Sequence, residues 1–226
     1  MKRSSLTLLF CSMILALATQ SVADDARTVK ASDFFPLVPD MEWPYDISHV
    51  RGKVEKKMPF RVKVEGDDHK FQGRQARSFK TRLASGRKRR EILQREFYCY
   101  AKNGDLQCYM RENGPVDVPL DPPQTILKAS MTKGTKWSWE GTYKGRKAKS
   151  SWEVKGFAKL TLEKVTYDCI VISQFTKSAS SKSEQIRTLW FAKGIGLVKE
   201  YAVDKSPSGK IVLTGVLKSF SRPSGK

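Results

Sequence analysis

From residue 40 onward, apolar and polar residues alternate in short runs that end at Gly, Pro, Asn or Ser. "PFRVKVEG" sets Phe60, Val62 and Val64 on one side and charges on the other. "FAKLTLEKV" does the same with Ala158, Leu160 and Leu162, and "KWSWEGTY" places Trp137 and Trp139 on a common face. "DCIVISQF" is almost continuously apolar, as a strand covered on both sides would be, and "QIRTLWFA", "IGLVKEYAV" and "KIVLTGVLKSF" complete the series. A period of two is the repeat of a strand with one covered face, so roughly ten to twelve strands are expected at short spacing. The prediction is an all-β chain with little helix, a single antiparallel meander curled into a barrel or half-barrel, with a sandwich as the other way to close it.

Three stretches interrupt the pattern. "GRKRREILQREF" fits either about two helical turns with Ile92 and Leu93 inward or the lead-in to the next hairpin. "KSASSKSE" (177–184) and "DKSPSGK" (204–210) read as hairpin loops. "VPLDPP" (118–123) carries three prolines and is expected to cross between two halves of the sheet.

"FYCYAKNGDLQCYM" (97–110) sets Cys99 and Cys108 on either side of an Asn-Gly pair. Asn-Gly favours a two-residue type I′ turn, which needs positive φ at both central residues. With Asn103-Gly104 as that loop, Lys102 pairs with Asp105 and Cys99 falls opposite Cys108 at a non-hydrogen-bonded position, where Cα atoms come within about 4.5 Å. Phe97, Cys99, Ala101, Leu106, Cys108 and Met110 then share the core face. A cross-strand Cys99–Cys108 disulfide is expected in an oxidising compartment. A three-residue loop would shift the register and remove it. Cys169 reads as a small buried apolar residue.

The N-terminus supplies the compartment. Lys2 and Arg3 precede an apolar stretch from Leu6 to Leu17, and Ser21-Val22-Ala23 offers small residues for cleavage ahead of Asp24. This is the pattern of a secretory signal peptide over 1–23, too short to span a bilayer. Cys11 lies inside the apolar stretch without the small residues a lipoprotein cleavage site places before its cysteine. A free periplasmic or secreted protein is expected, cleaved near Ala23, with one β-rich domain over 24–221, a flexible tail over 222–226 and no transmembrane segment in the mature chain.

The formal net charge is +19; loss of the leader removes Lys2 and Arg3 but no acid, leaving +17. Between Lys70 and Arg95 stand ten basic residues and one acid, densest at Arg87, Lys88, Arg89 and Arg90. A second basic cluster includes Lys144, Arg146, Lys147 and Lys149, beside Trp137, Trp139 and Trp152. These clusters are candidates for binding an anionic polymer: lipopolysaccharide, a wall polymer, an acidic polysaccharide or nucleic acid. The three tryptophans are candidates for apolar or aromatic contact with a ligand. The plainer reading is that lysine and arginine keep a β-rich protein soluble and its edges apart. His49 and His69 are the two histidines, and Asp67-Asp68-His69 reads as a solvated turn. "KGIGLVKE" leads into a strand rather than a helix, so Gly194 and Gly196 mark a bend rather than an anion cradle. No catalytic residue, metal-ligand set or cofactor motif is predicted.

Two motifs resemble those of a group of exported bacterial domains of unknown function. The opening one is F-P-L…W-x-Y, here Phe35, Pro36, Leu37, Trp43 and Tyr45. The closing one is W-[FY]-A-x-G-[VI]-G-L-V-K-E, here Trp190, Phe191, Ala192, Gly194, Ile195, Gly196, Leu197, Val198, Lys199 and Glu200, with Gly134 and Trp137 matching a G-x-x-W between them. The resemblance implies an antiparallel fold similar to the half-barrels of periplasmic lipoprotein carriers, and no known activity. The expectation is therefore an exported, non-catalytic β-domain that binds an apolar or amphipathic partner, possible lipids included, or is associated with the envelope. The alternative is a polyanion-binding surface. Salt separates them, because polyanion affinity collapses as salt rises and apolar binding does not.

Overall fold

A computed structural model describes residues 27–66, 69–83, 92–113, 117–178 and 183–222. The proposed leader (1–23) and Arg87–Arg90 lie outside them. The elements are β1 (Val29–Lys30), α1 (Ala31–Phe34), β2 (Glu42–Arg51), β3 (Val54–Val64), β4 (His69–Phe71), β5 (Arg74–Leu83), β6 (Ile92–Tyr100), β7 (Leu106–Asn113), β8 (Asp117–Leu127), β9 (Ser130–Met131), β10 (Lys136–Tyr143), β11 (Arg146–Leu162), β12 (Val165–Ser178), β13 (Glu184–Ala192), β14 (Gly196–Ser206) and β15 (Gly209–Leu217).

Twelve of these strands form one closed antiparallel barrel. Each strand pairs with the next long strand in sequence, and the last, β15, pairs with the first, β2, from Ile211–Arg51 to Leu217–Tyr45. β3 pairs directly with β5, so β4 is left as a short flap beside β5. The ring is complete, so the half-barrel alternative gives way to a full barrel. Closure leaves no long edge to template pairing with another chain.

Outside the cysteine hairpin the expected faces hold; within it Tyr98, Leu106 and Cys108 face the barrel core while Phe97, Cys99 and Met110 pack in a separate cluster. Trp137 and Trp139 are both buried, as are Val64, Leu160, Cys169, Ile170 and Ile172. "REF" and its neighbours extend β6 rather than a helix. The proline-rich stretch is not a crossing: β8 continues through it, bulging against β7 between Pro119 and Gln124, with a cis Asp121–Pro122 bond. Three prolines remove ladder donors, and β8 keeps one ladder pair with β10, Thr142–Asp121. Here the strands crowd: a Cβ on Gly141 would lie 2.6 Å from the Asp121 carbonyl oxygen and 2.5 Å from the Trp139 ring, so only glycine fits.

One end of the barrel is plugged. α1 and the β1–β9 pair lie across it, tied by the Ala31 amide to Ala129 O (3.3 Å) and by the Gly194 amide to Asp33 O (2.6 Å). Ala31, Phe34, Met41, Leu127 and Met131 are buried there. At the opposite end lie the turns at Gly52, at Lys144-Gly145 and between Ser206 and Gly209.

The disulfide expectation is overturned. The β6–β7 connection is a three-residue loop: the Ala101 amide donates to Asp105 O (2.8 Å), and Gly104 takes φ 87°. The loop slips by one residue because the Asp105 carboxylate is engaged elsewhere. It accepts from the Ala129 amide (2.8 Å) and from Lys128 Nζ (2.7 Å). Cys99 now pairs with Gln107 and Cys108 with Tyr98. A one-residue slip turns side chains to opposite faces. Cys108 joins the barrel interior, whereas Cys99 packs outside with Ala76, Phe97 and Tyr109, near Phe71 of the flap. All three described cysteines are free and buried.

Burial pushes the Cys108 and Cys169 thiols up to about 12. A folded-state value raised above the unfolded one, about 8.5, means the contribution to stability is intact below that value and is lost as pH rises toward 12. The leaderless chain should show three thiols when denatured without reductant and none reacting in the native state near about pH 8, with its urea midpoint falling above about pH 8.5. A count of one would restore the bridge.

Candidate functional site: a polar-banded lumen

The barrel interior is not fully packed. A cavity of roughly 560 Å³ opens within it, inside the range of about 300–1,000 Å³ typical of small-molecule sites. It is layered. At the plugged end Phe35, Trp43, Tyr45, Phe79, Tyr98 and Phe191 form an aromatic floor. Phe35 lies 5.1 Å from both Phe79 and Tyr98 and 6.2 Å from Phe191, ring centre to ring centre. These tilted geometries are the favoured ones for aromatic pairs.

Above the floor is a band of polar side chains. Glu96 on β6 and Arg111 on β7 are directly paired in the ladder, and Arg111 Nε donates to Glu96 Oε1 at 2.7 Å. Arg111 also donates to Gln124 Oε1 (3.0 Å), and the Tyr98 hydroxyl to Glu96 Oε2 (2.7 Å). Across the lumen, Arg187 on β13 donates to Glu200 of β14 (2.7 Å) and to Gln174 of β12 (3.2 Å). Each guanidinium thus joins a carboxylate and an amide from neighbouring strands.

Burial opposes the charge on Arg111, but Glu96 outweighs it and holds the guanidinium more firmly protonated than usual. Burial likewise opposes the charge on Arg187, and Glu200 first and Glu96 further off overcome it, while Arg111 acts against it. The two ion pairs therefore feel each other. Burial, helped by Glu200, raises the Tyr45 hydroxyl far above its ordinary value. Burial and then Glu96 do the same for Tyr98. Both phenols stay neutral and are spent as donors, Tyr45 to Leu197 O (2.6 Å). At the open end the lining passes to Thr81, His49, Gln185, Asp204, Ile211 and Leu213.

Of the three tryptophans singled out by sequence, Trp152 lines the cavity. Trp137 stacks on it, rings 5.8 Å apart and 3° from parallel. The indole N–H groups of Trp137 and Trp139 donate to the backbone at Thr125 (3.1 Å) and Pro122 (2.8 Å), across the sparse β8–β10 seam. Lys144, Arg146, Lys147 and Lys149 are exposed on the β10–β11 hairpin at the open end, with Lys149 paired to Glu140 (2.8 Å).

The lumen residues Glu96, Arg111, Gln124, Gln174, Arg187 and Glu200 carry no local motif. Their strand parity is the one available signal. Gln174 follows buried Ile172 by two, Arg187 precedes buried Leu189 by two, and Glu200 follows buried Val198 by two. Among the described residues, no group of three or more His, Cys, Asp and Glu side chains gathers as a metal site, and no helix is long and apolar enough to cross a membrane.

No protein-family model matches the chain, and no curated protein matches it either. Among solved structures, the chain is similar to a candidate exported protein with a YmcC-like fold from Bacteroides fragilis, at 11% identity and a TM-score of 0.48, over 84% of this chain and 99% of that one. A candidate lipoprotein from Parabacteroides distasonis matches at 12% identity and a TM-score of 0.49, over 83% and 98%. The hypothetical lipoprotein YmcC of Escherichia coli matches at 10% identity and a TM-score of 0.38, over 85% and 94%.

Proposed function

We propose that this is an exported, non-catalytic binding protein that takes an apolar or amphipathic small molecule into its barrel. Export rests on the leader pattern of Lys2, Arg3, Leu6–Leu17 and Ser21-Val22-Ala23. The observation that carries the binding reading is the lumen: one cavity, aromatic at its closed end and hydrogen-bonding at mid-depth. Aromatic faces remove apolar surface from water, and a few placed polar groups fix orientation, which is how ligand pockets divide the work. The carboxylates in the band are each held by an arginine. That arrangement positions a guest rather than abstracting a proton from it.

Gly215 gives a direct test. It lines the lumen, and a Cβ placed there meets nothing closer than 3.9 Å, at Glu200 and Ile47. The neutral apolar dye N-phenyl-1-naphthylamine should bind the wild type saturably, with enhanced fluorescence. Gly215→Phe should fill the cavity and weaken binding at least about tenfold, with the melting temperature retained, while Gly215→Ala should bind as wild type. Equal binding by Gly215→Phe, or no saturable binding at all, would refute the luminal site.

A further inference from the structure

We infer that the lumen selects a guest whose polar group is uncharged and rich in hydroxyls, such as a glycoside head, over one bearing a carboxylate or an ammonium. This deepens the luminal reading and rests on it. Glu96 and Glu200 supply two negative charges to the band, Arg111 and Arg187 two positive ones, so the band as a whole is neutral. A guest carboxylate facing Arg187 finds a guanidinium already neutralised by Glu200, 2.7 Å from Nε, and on the donors left over it lies close to that carboxylate. On the other wall the same guest meets Glu96, 2.7 Å from Arg111. An ammonium meets the mirror-image difficulty with the two guanidinium groups. At the height of the band either ion would lose its water and gain no net opposite charge in return, the further carboxylate of the lining, Asp204, standing nearer the mouth.

A hydroxyl meets no such obstacle. It both donates and accepts, and the band offers both functions. Arg111 and Arg187 hold planar donors, of which the carboxylates and glutamines use some, and Gln124 and Gln174 hold amides on opposite sides of the guest. Asp204 nearer the mouth already accepts from Gln185 Nε2 (3.2 Å). The aromatic floor below accommodates the apolar part of the same guest.

The test is displacement of bound N-phenyl-1-naphthylamine by three amphiphiles with the same dodecyl tail, each below its micelle concentration: dodecyl maltoside, dodecanoate and dodecyltrimethylammonium. With wild-type protein the maltoside should compete at least about tenfold better than either ion. Glu200→Gln frees Arg187 from its counter-charge and should shift the ranking toward dodecanoate by about tenfold. Glu96→Gln, on the facing pair, should shift it the same way. The wild-type ranking reads without either variant. Dodecanoate competing as well as the maltoside on wild type, or a ranking unmoved by both variants, would overturn the charge-neutral selection while leaving the luminal site standing. Failure of the dye itself to bind would remove both.

Discussion

Glu96→Ala will destabilise the fold by about 3 kcal/mol, and most of that loss will return when Arg111 is removed with it. Glu96 satisfies Arg111 Nε and the Tyr98 hydroxyl together. Taking it away leaves a guanidinium inside the barrel with Gln124 as its remaining partner on that side. Removing one member of a buried ion pair costs about 3–5 kcal/mol, chiefly because the other charge stays behind in low dielectric. The low end applies here, since the side chains of Arg111 and Glu96 keep 25% and 26% of their surface exposed and the cavity they line admits water. Glu96→Leu combined with Arg111→Met replaces the pair by apolar groups of similar length, an exchange that is commonly neutral or favourable. Urea unfolding of the wild type, Glu96→Leu, Arg111→Met and the double variant forms the cycle, with Glu96→Ala measured beside it. Additive losses, with the double variant worse than either single one, would show that the pair does not act as a unit.

The same pair shows what the sequence concealed. In "LQREFYCY" and "CYMREN" the charges look like the wet side of a strand, which is what alternation normally means. That inference assumes a filled interior. A barrel of this circumference leaves space at its axis, so inward positions at mid-height can be charged, provided their partners stand opposite on neighbouring strands. Those partners are 15 residues apart for Glu96 and Arg111, and 13 for Arg187 and Glu200. Strand identity and facing of the tryptophans were legible because each depends on neighbours two residues away. The Cys99–Cys108 pairing failed for the opposite reason. "AKNGDL" accepts either a two- or a three-residue loop, and the choice is made by Asp105 reaching Ala129, 24 residues along the chain. The prolines of β8 misled similarly: they disfavour a ladder, yet tryptophan N–H donors from β10 satisfy carbonyls that the ladder does not.

The two sequence motifs, the opening Phe35…Trp43-x-Tyr45 and the closing Trp190…Glu200, turn out to be halves of one clasp, and this carries the second large effect. Trp43 Nε1 donates to Ile195 O at 2.8 Å, and the Tyr45 hydroxyl to Leu197 O at 2.6 Å, both across 152 residues of chain. Gly196 stands between those two carbonyls at φ 112°, its Cβ position 3.8 Å from the Trp43 ring. The ring in turn stacks on Phe79, centres 5.8 Å apart and planes 14° from parallel. Trp43 sits on β2, the strand that β15 must find for the barrel to close. Trp43→Ala should therefore cost about 3–5 kcal/mol, the usual loss for a buried tryptophan. Trp43→Phe keeps most of the apolar body and strands the buried Ile195 carbonyl, so it should cost about 1–3 kcal/mol. Because the lost contacts tie β2 to the β13–β14 turn across β15, amide exchange should quicken first along β2 and β15 in Trp43→Ala, while β11 and β12 stay protected. The alanine variant would then bind dye poorly through an opened wall, even at temperatures where it remains folded. A loss under about 1 kcal/mol, or exchange that quickens evenly around the barrel, would mean the seam is held elsewhere and the two motifs are neighbours without being a clasp.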